Sequence, residues 1–325
     1  MRILVTGATG FLGQHLARAL LTRGHQVYLS GRHFAPVEVL IAAGAIPCEA
    51  DLRDAPTVCA ICKGMDAVYH VGALSAAWGK RSDFFATNVE GTRAVVAGCL
   101  EHGVQRLIYV SSPSVVYDGR DQFNATEQVP YPRRFTSVYS LTKKLGEDLV
   151  KGAPASLQTV VVRPKAIFGP GDRVLLPQLI AAARLRRLPQ IGNGHNLVDL
   201  TYVENVVKAL LLALEANAAV GKTYTITNGE HVSLWEVIGY VLGQLGLPTK
   251  LRRVPLSVAL AAATLMEARA AISGSEPLLT RYSASILART QTYDISAAQR
   301  DLGYIPGVSV AEGIELTLEK LRAEI

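Results

Sequence analysis

The sequence predicts an α/β protein, a doubly wound parallel sheet with helices on both faces and a smaller C-terminal lobe. Three observations carry that prediction. The apolar run Ile3-Leu4-Val5 feeds directly into Thr6-Gly7-Ala8-Thr9-Gly10-Phe11-Leu12-Gly13 and then into a helical pattern over residues 11–23. Strand and helix patterns go on alternating through the first half, the sign of parallel strands joined by crossover helices. At Gly169-Pro170-Gly171 the turn-formers stop the repeat, so residues 1–165 are expected to form the main domain. Residues 166–325 are expected to form mainly a second lobe, with some segments returning to the first.

The first unit has a chemical consequence. Gly7 takes the angles of a tight turn, Gly10 lets a phosphate approach the main chain, and Gly13 lets the helix lie close to the strand. Free N–H groups and the helix dipole then face a pyrophosphate. A glycine triplet alone is a weak signal. Set between a strand and a helix, it marks a dinucleotide site with Gly7, Thr9, Gly10, Phe11, Leu12 and Gly13 against the cofactor.

A second strand at 26–30 ends in Ser30-Gly31-Arg32. An acid there would bind the adenosine ribose of NAD; Arg32 instead pairs with the 2′-phosphate of NADP(H), unless it is a surface loop residue. The third strand leads to Asp51-Leu52, with Asp51 either an adenine contact or the cap of the next helix. The fourth, 67–70, ends at Gly72-Ala73, small residues suited to lie against pyrophosphate and ribose. Residues 83–101 read as one long helix, in which Gly91 permits close packing. The fifth strand, 106–110, delivers Ser111 and Ser112 to the carboxyl edge of the sheet, where ligands bind in this architecture.

The next helix carries Tyr139 and Lys143 one turn apart on one face. A free phenol ionises near pH 10 and is sluggish at neutral pH. A neighbouring ammonium and an oxidised nicotinamide both favour phenolate, so Tyr139 is expected to carry the proton while Lys143 holds the ribose. A sixth strand, 158–163, runs into Pro164, also placed at the cofactor. Further on, Ser233 to Glu236 reads as a capping box, and 256–266 is apolar throughout. That stretch reads as a buried helix first, or else a pocket lid or a membrane-surface helix.

Composition narrows the classes. The net charge of +6 is spread out, without the aromatic-interleaved basic patch of a nucleic-acid binder. No apolar run reaches the roughly 18 residues of a span, and the first strand starts too early to leave room for a leader. Four cysteines form no disulfide framework, so a reducing, cytoplasmic setting is expected. Cys59 and Cys62 lack further ligands and read as packing residues, with no metal site expected.

These motifs together resemble an extended short-chain dehydrogenase/reductase over essentially the whole chain. The matching residues are Thr6 to Gly13, Asp51-Leu52, Asn88 to Thr92, Ser111-Ser112, Tyr139 with Lys143, Arg163-Pro164, Gly169 to Asp172 and Val198 to Asn205. The resemblance implies a Rossmann-type domain, an oxidoreductase activity and a homodimer built on helices at 83–101 and 139–150, with Ala94, Val95, Ala97 and Leu145 at its interface. It implies Ser112 as the catalytic serine, with Ser114 close by as the alternative. The C-terminal part, with Leu278-Leu279-Thr280, Tyr293-Asp294 and Leu302-Gly303-Tyr304, resembles the 3β-hydroxysteroid dehydrogenase branch, and among bacterial members the 2-alkyl-3-oxoalkanoate reductases of olefin biosynthesis. That implies NADPH-dependent reduction of a hydrophobic 3-oxo acid, its carboxylate met by Lys165 or Arg184. A nucleotide-sugar epimerase or dehydratase and a steroid 3β-dehydrogenase are the alternatives.

Overall fold

The computed structural model describes residues 1–172 and 175–323. The main sheet contains β1 (Arg2–Thr6), β2 (Gln26–Gly31), β3 (Ile46–Glu49), β4 (Ala67–His70), β5 (Arg106–Val110), β6 (Gln158–Pro164) and β7 (Thr223–Ile226). All pair in parallel, in the order β7-β6-β5-β4-β1-β2-β3. The order reverses between β1 and β4, which opens a crevice at their carboxyl ends. The central strands are mostly apolar, with Ile3-Leu4-Val5 in β1 and Leu107-Ile108 in β5, because both faces are covered.

On one face lie α1 (Phe11–Thr22) and a long helix at Val203–Glu215, whose Val206, Leu210 and Ala213 meet Leu16 and Leu20 in one core. On the other lie α2 (Ala55–Ala60), α3 (Gly91–Glu101) and α4 (Val138–Lys151), packed through Val58, Val95, Cys99 and Val150. Cys62 belongs to that second core.

Residues expected as one helix over 83–101 are interrupted: a π turn at Phe85–Glu90 separates Arg81–Phe84 from α3. Directly after it, a Cβ at Gly91 would lie 2.8 Å from the carbonyl oxygen of Leu52, the close approach expected there. Ala94 and Val95 are buried within the chain, so of the residues assigned to a dimer interface only Ala97 and Leu145 reach the surface.

The two halves of the chain interleave. Strand β7 and the helix Val203–Glu215 come from beyond residue 165, while Gln122–Ala125 leaves the first half to join Gln291–Tyr293, Leu197–Asp199 and His231–Ser233 in a second sheet. Ser233 stands at the start of the helix Leu234–Gln244, but its hydroxyl makes no cap bond, so the expected capping box does not close.

The apolar stretch departs most from expectation. It opens an 18-residue helix, α5 (Leu256–Ser273), with a mean hydropathy of 1.4, yet only 17% of it is buried. It packs on α6 (Arg281–Ala288), with Ala259, Ala263 and Ala270 buried, Leu256 and Leu260 half-buried, and Glu267 bonded to Arg281 at 2.7 Å. Small alanines allow a close helix pair, and Val258, Leu265 and Ile272 are left outside.

Candidate active site

The crevice is floored by bare backbone. Gly7 has φ +66°, and a Cβ there would lie 2.5 Å from Cα of Gly72; one on Gly13 would lie 2.2 Å from the carbonyl oxygen of Gly7. Gly10 is the N-cap of α1 and offers no side-chain bond to the first N–H groups of the helix. A turn without side chains at a helix N-terminus fits a pyrophosphate. Thr9 packs over Gly31, Phe11 lies edge-on to His15, and Leu12 is buried beneath the turn. Leu52 fills the space between Gly72 and Gly91, and Ala73 follows β4 at the same edge.

A hydrogen-bond chain runs from this turn to α4. The N–H of Gly72 donates to Thr6 Oγ1 at 3.2 Å, and that hydroxyl faces Nδ1 of buried His70 at 2.7 Å. On its far side Nε2 lies 2.9 Å from Thr92 Oγ1, which donates to the carbonyl of Asn88 at 2.7 Å. Both hydroxyl protons are thus directed, and the ring is neutral with its proton on Nε2. Burial, with Lys143 nearby, pushes its pKa down to about 3. Asn88 continues the chain, its Nδ2 donating to Thr142 Oγ1 at 3.0 Å, which donates to the carbonyl of Tyr139 at 3.0 Å. The π turn places Asn88 against α4, which a regular helix read from sequence does not show.

Ser112, Tyr139 and Lys143 are brought together. Ser137 caps α4 by accepting the N–H of Ser140 at 3.0 Å, which fixes where Tyr139 leaves the first turn. Ser112 and Ser75 both face the Tyr139 phenol and favour its ionised form, but burial outweighs them and raises its pKa. The depressed value expected from sequence is therefore not found. Lys143 is itself 2% exposed, sits 4.0 Å above the ring of Tyr109, and is pushed down to about 7 by burial against the opposing pull of Glu147. Ser114 faces Tyr282 instead, so the two candidate serines point at different phenols.

Beneath Lys143, Arg163 at the end of β6 grips Glu147 through two bonds of 2.7 and 2.6 Å, and Tyr131 adds a third of 2.6 Å. Burial opposes ionisation of Glu147, yet these bonds, the Arg163 charge and Ser111 together hold it at about 2. Pro164 follows directly, buried at the same strand end.

At the adenosine end, Asp51 is held by Arg53 at 2.6 Å and lowered to about 2 by those bonds. The helix cap is Asp54, which accepts the Thr57 hydroxyl at 2.6 Å, so the capping alternative for Asp51 falls away. Arg32 is exposed, its guanidinium 4.0 Å from Asp51.

Sequence reading missed the wall opposite Tyr139. Tyr117 bonds Ser285 on α6 at 2.6 Å and lies edge-on to Tyr282 at 6.4 Å. Beyond them Lys165 Nζ donates to Gln291 Oε1 at 2.6 Å and lies 5.7 Å from the ring of Tyr293. Burial pushes Lys165 down to about 8, and Gln291 Nε2 is buried with no partner among the described residues. Arg184, the other candidate for a carboxylate, stands exposed at the end of its helix. Ser75 had a usable signal, two residues past Ala73 at a strand's carboxyl edge. Tyr282 had none, because it arrives from a remote helix.

Comparison with known proteins agrees with this geometry. Residues 4–256 match the 3-beta hydroxysteroid dehydrogenase/isomerase family. A 2-alkyl-3-oxoalkanoate reductase from Stenotrophomonas maltophilia is 39% identical, covering 97% of both chains. A 3beta-hydroxysteroid-dehydrogenase/decarboxylase from Arabidopsis thaliana is 36% identical over 97% of this chain and 78% of its own. Among solved structures, MoeE5 in complex with UDP-glucuronic acid and NAD superposes with a TM-score of 0.78 at 27% identity, covering all of both chains. With a Rossmann-type sheet, a bare-backbone dinucleotide cradle and a serine, tyrosine and lysine gathered at its edge, the chain belongs to the 3-beta hydroxysteroid dehydrogenase/isomerase family of extended short-chain dehydrogenase/reductases, oxidoreductases that act on hydroxyl or ketone groups with a nicotinamide dinucleotide.

Proposed function

We propose that the protein reduces the 3-ketone of a long-chain 2-alkyl-3-oxoalkanoate to the 3-hydroxy acid with NADPH, working as a homodimer in the cytoplasm. The observation that carries this reading is the wall opposite Tyr139. It combines the aromatic rings of Tyr117, Tyr282 and Tyr293 with one buried ammonium, Lys165, beside the unpartnered amide of Gln291. Rings suit alkyl chains, and a buried ammonium with a free N–H suits one carboxylate. The names of relatives at 39% and 35% identity lend support.

The dinucleotide is assigned to Gly7, Thr9, Gly10, Phe11, Leu12, Gly13, Asp51, Leu52, Gly72, Ala73 and Pro164, with Lys143 on the ribose. When bound and reduced it supplies the hydride. Ser112, with Ser75, orients the substrate carbonyl oxygen, and Tyr139 gives that oxygen its proton. A phenol is still protonated at neutral pH, which suits it as the proton donor of a reduction.

NADPH is favoured by the missing acid after β2 and by the arrangement around Asp51. Arg53 already satisfies that carboxylate, which leaves Arg32 loosely held and open to a 2′-phosphate. A charge-assisted bond contributes about 1.5 to 3 kcal/mol, so Arg32→Ala is expected to lose roughly tenfold to a hundredfold of the NADPH preference in paired kcat/KM measurements. Equal use of NADH by the wild-type protein would count against the assignment.

The substrate is tested with a chain-length series of 2-alkyl-3-oxo acids. Each buried methylene gains about 0.8 kcal/mol, so kcat/KM should rise about three- to fourfold per carbon until the pocket fills. A flat series with rapid turnover of a steroid would favour the steroid dehydrogenase reading that the family match also admits. Faster turnover of UDP-sugars would favour the epimerase reading, in keeping with the UDP-glucuronic acid bound to MoeE5.

A further inference from the structure

Helix α5 is built the wrong way round for a surface helix. Its buried positions Ala259, Ala263 and Ala270 are small, whereas Val258, Leu265 and Ile272 are 55%, 73% and 91% exposed. With Ala261 and Ala268, also exposed, these residues recur at intervals of three and four and form one continuous outward stripe. Leu278, 80% exposed, follows at the end of the helix, and Leu185, 64% exposed, stands in the neighbouring segment. Scattered exposed leucines need no explanation, but an apolar stripe along a whole helix marks an interaction surface.

The stripe is flanked by cations. Strand pairing of Arg253–Val254 with Gln190–Ile191 holds two basic segments side by side, one carrying Arg184, Arg186 and Arg187, the other Lys250, Arg252 and Arg253. All six are exposed. No acid occurs between Asp172 and Asp199 or between Glu236 and Glu267. Acids enter only at the far end of the helix, where Glu276 is exposed and Glu267 is bonded to Arg281 at 2.7 Å. That bond pins α5 along α6, so the helix lies flat on the protein.

We propose that the outer face of α5 and its basic flank dock on the surface of an anionic phospholipid bilayer. The stripe enters the acyl boundary while the six cations stay among the headgroups, where each is attracted by the anionic surface. A second copy on a two-fold axis would bring the same cations against their counterparts, and the charge disfavours that occupant. The docked face backs directly onto the site, because α6 turns Tyr282 toward Tyr139 on its inner side. The proposal stands independently of the substrate assigned above, since binding is read without turnover.

The test is co-sedimentation with vesicles of phosphatidylcholine containing a quarter phosphatidylglycerol, against phosphatidylcholine alone. The wild-type protein is expected to bind the anionic vesicles and to be released by high salt. Leu265→Asp/Ile272→Asp and, separately, Arg186→Glu/Arg187→Glu should each weaken binding at least about tenfold with unchanged melting temperature. Ile272→Gln, at the most exposed position of the stripe, serves if the aspartate pair fails to fold, and is expected to weaken binding in the same direction. Three results would overturn the proposal: no binding to anionic vesicles, equal binding by the stripe variants, or a fall in sedimenting mass of those variants without lipid, which would make the stripe an interface between copies.

Discussion

Tyr139→Phe is expected to lower kcat by about 10²- to 10⁴-fold, the usual worth of a positioned general acid, while the dissociation constant for the dinucleotide stays within about twofold. The ring keeps its place at the first turn of α4, because the bonds that set it there run through Ser137, Thr142 and Asn88 and involve no phenol oxygen. What is lost is the one proton source that both Ser75 and Ser112 face. Lys143→Ala should differ in kind, impairing cofactor binding and turnover together. Single-turnover oxidation of the reduced cofactor, followed by absorbance with a saturating ketone, separates the two. Near-wild-type turnover in Tyr139→Phe would remove the assignment.

Arg163→Met is expected to cost about 3 to 5 kcal/mol of stability, the usual penalty for stranding one partner of a buried ion pair. Arg163 is 2% exposed and Glu147 is fully buried, so removing the guanidinium leaves the carboxylate only the longer contact to the partly exposed Lys151, at 3.4 Å, among its cations. The sign of the pH dependence follows from the depressed pKa. Glu147 at about 2 in the fold, against about 4.3 unfolded, adds stability above the higher value and loses it as pH falls through the lower. The variant loses the share of that bonus that Arg163 supplies, so the gap in melting temperature should narrow as pH drops below about 4.3. Glu147→Leu on the Arg163→Met background should recover part of the loss, since two apolar groups leave no stranded charge. Unchanged melting of Arg163→Met at neutral pH would show that the pair contributes nothing.

Much of the site could be read from local signals. Glycines at 7, 10 and 13 after a strand, and a tyrosine and lysine four apart after the fifth strand, are patterns whose chemistry follows from backbone geometry within one or two turns. Choosing between Ser112 and Ser114 was harder, because only Pro113 lies between them. Their surroundings differ: Ser112 lies beside Tyr139, while the short helical turn at Pro113–Val116 buries Ser114 beside Tyr282.

Local spacing by itself pointed to the parallel sheet, the glycine turn proposed as the cofactor cradle and the helix that carries Tyr139 and Lys143, since each depends on residues close in the chain and on rules that hold in any parallel sheet. Tertiary structure alone decided the rest. The acidity of Tyr139 and Lys143 is governed by how completely water is excluded, which no spacing records. The aromatic wall joins Tyr117, Tyr282 and Tyr293, brought together only when the second sheet pairs Gln122–Ala125 with Gln291–Tyr293. The apolar helix at Leu256–Ser273 was the widest departure. Hydrophobicity sets how much a helix gains by leaving water, but which face finds a partner depends on its neighbours, and here the fully buried positions are three alanines.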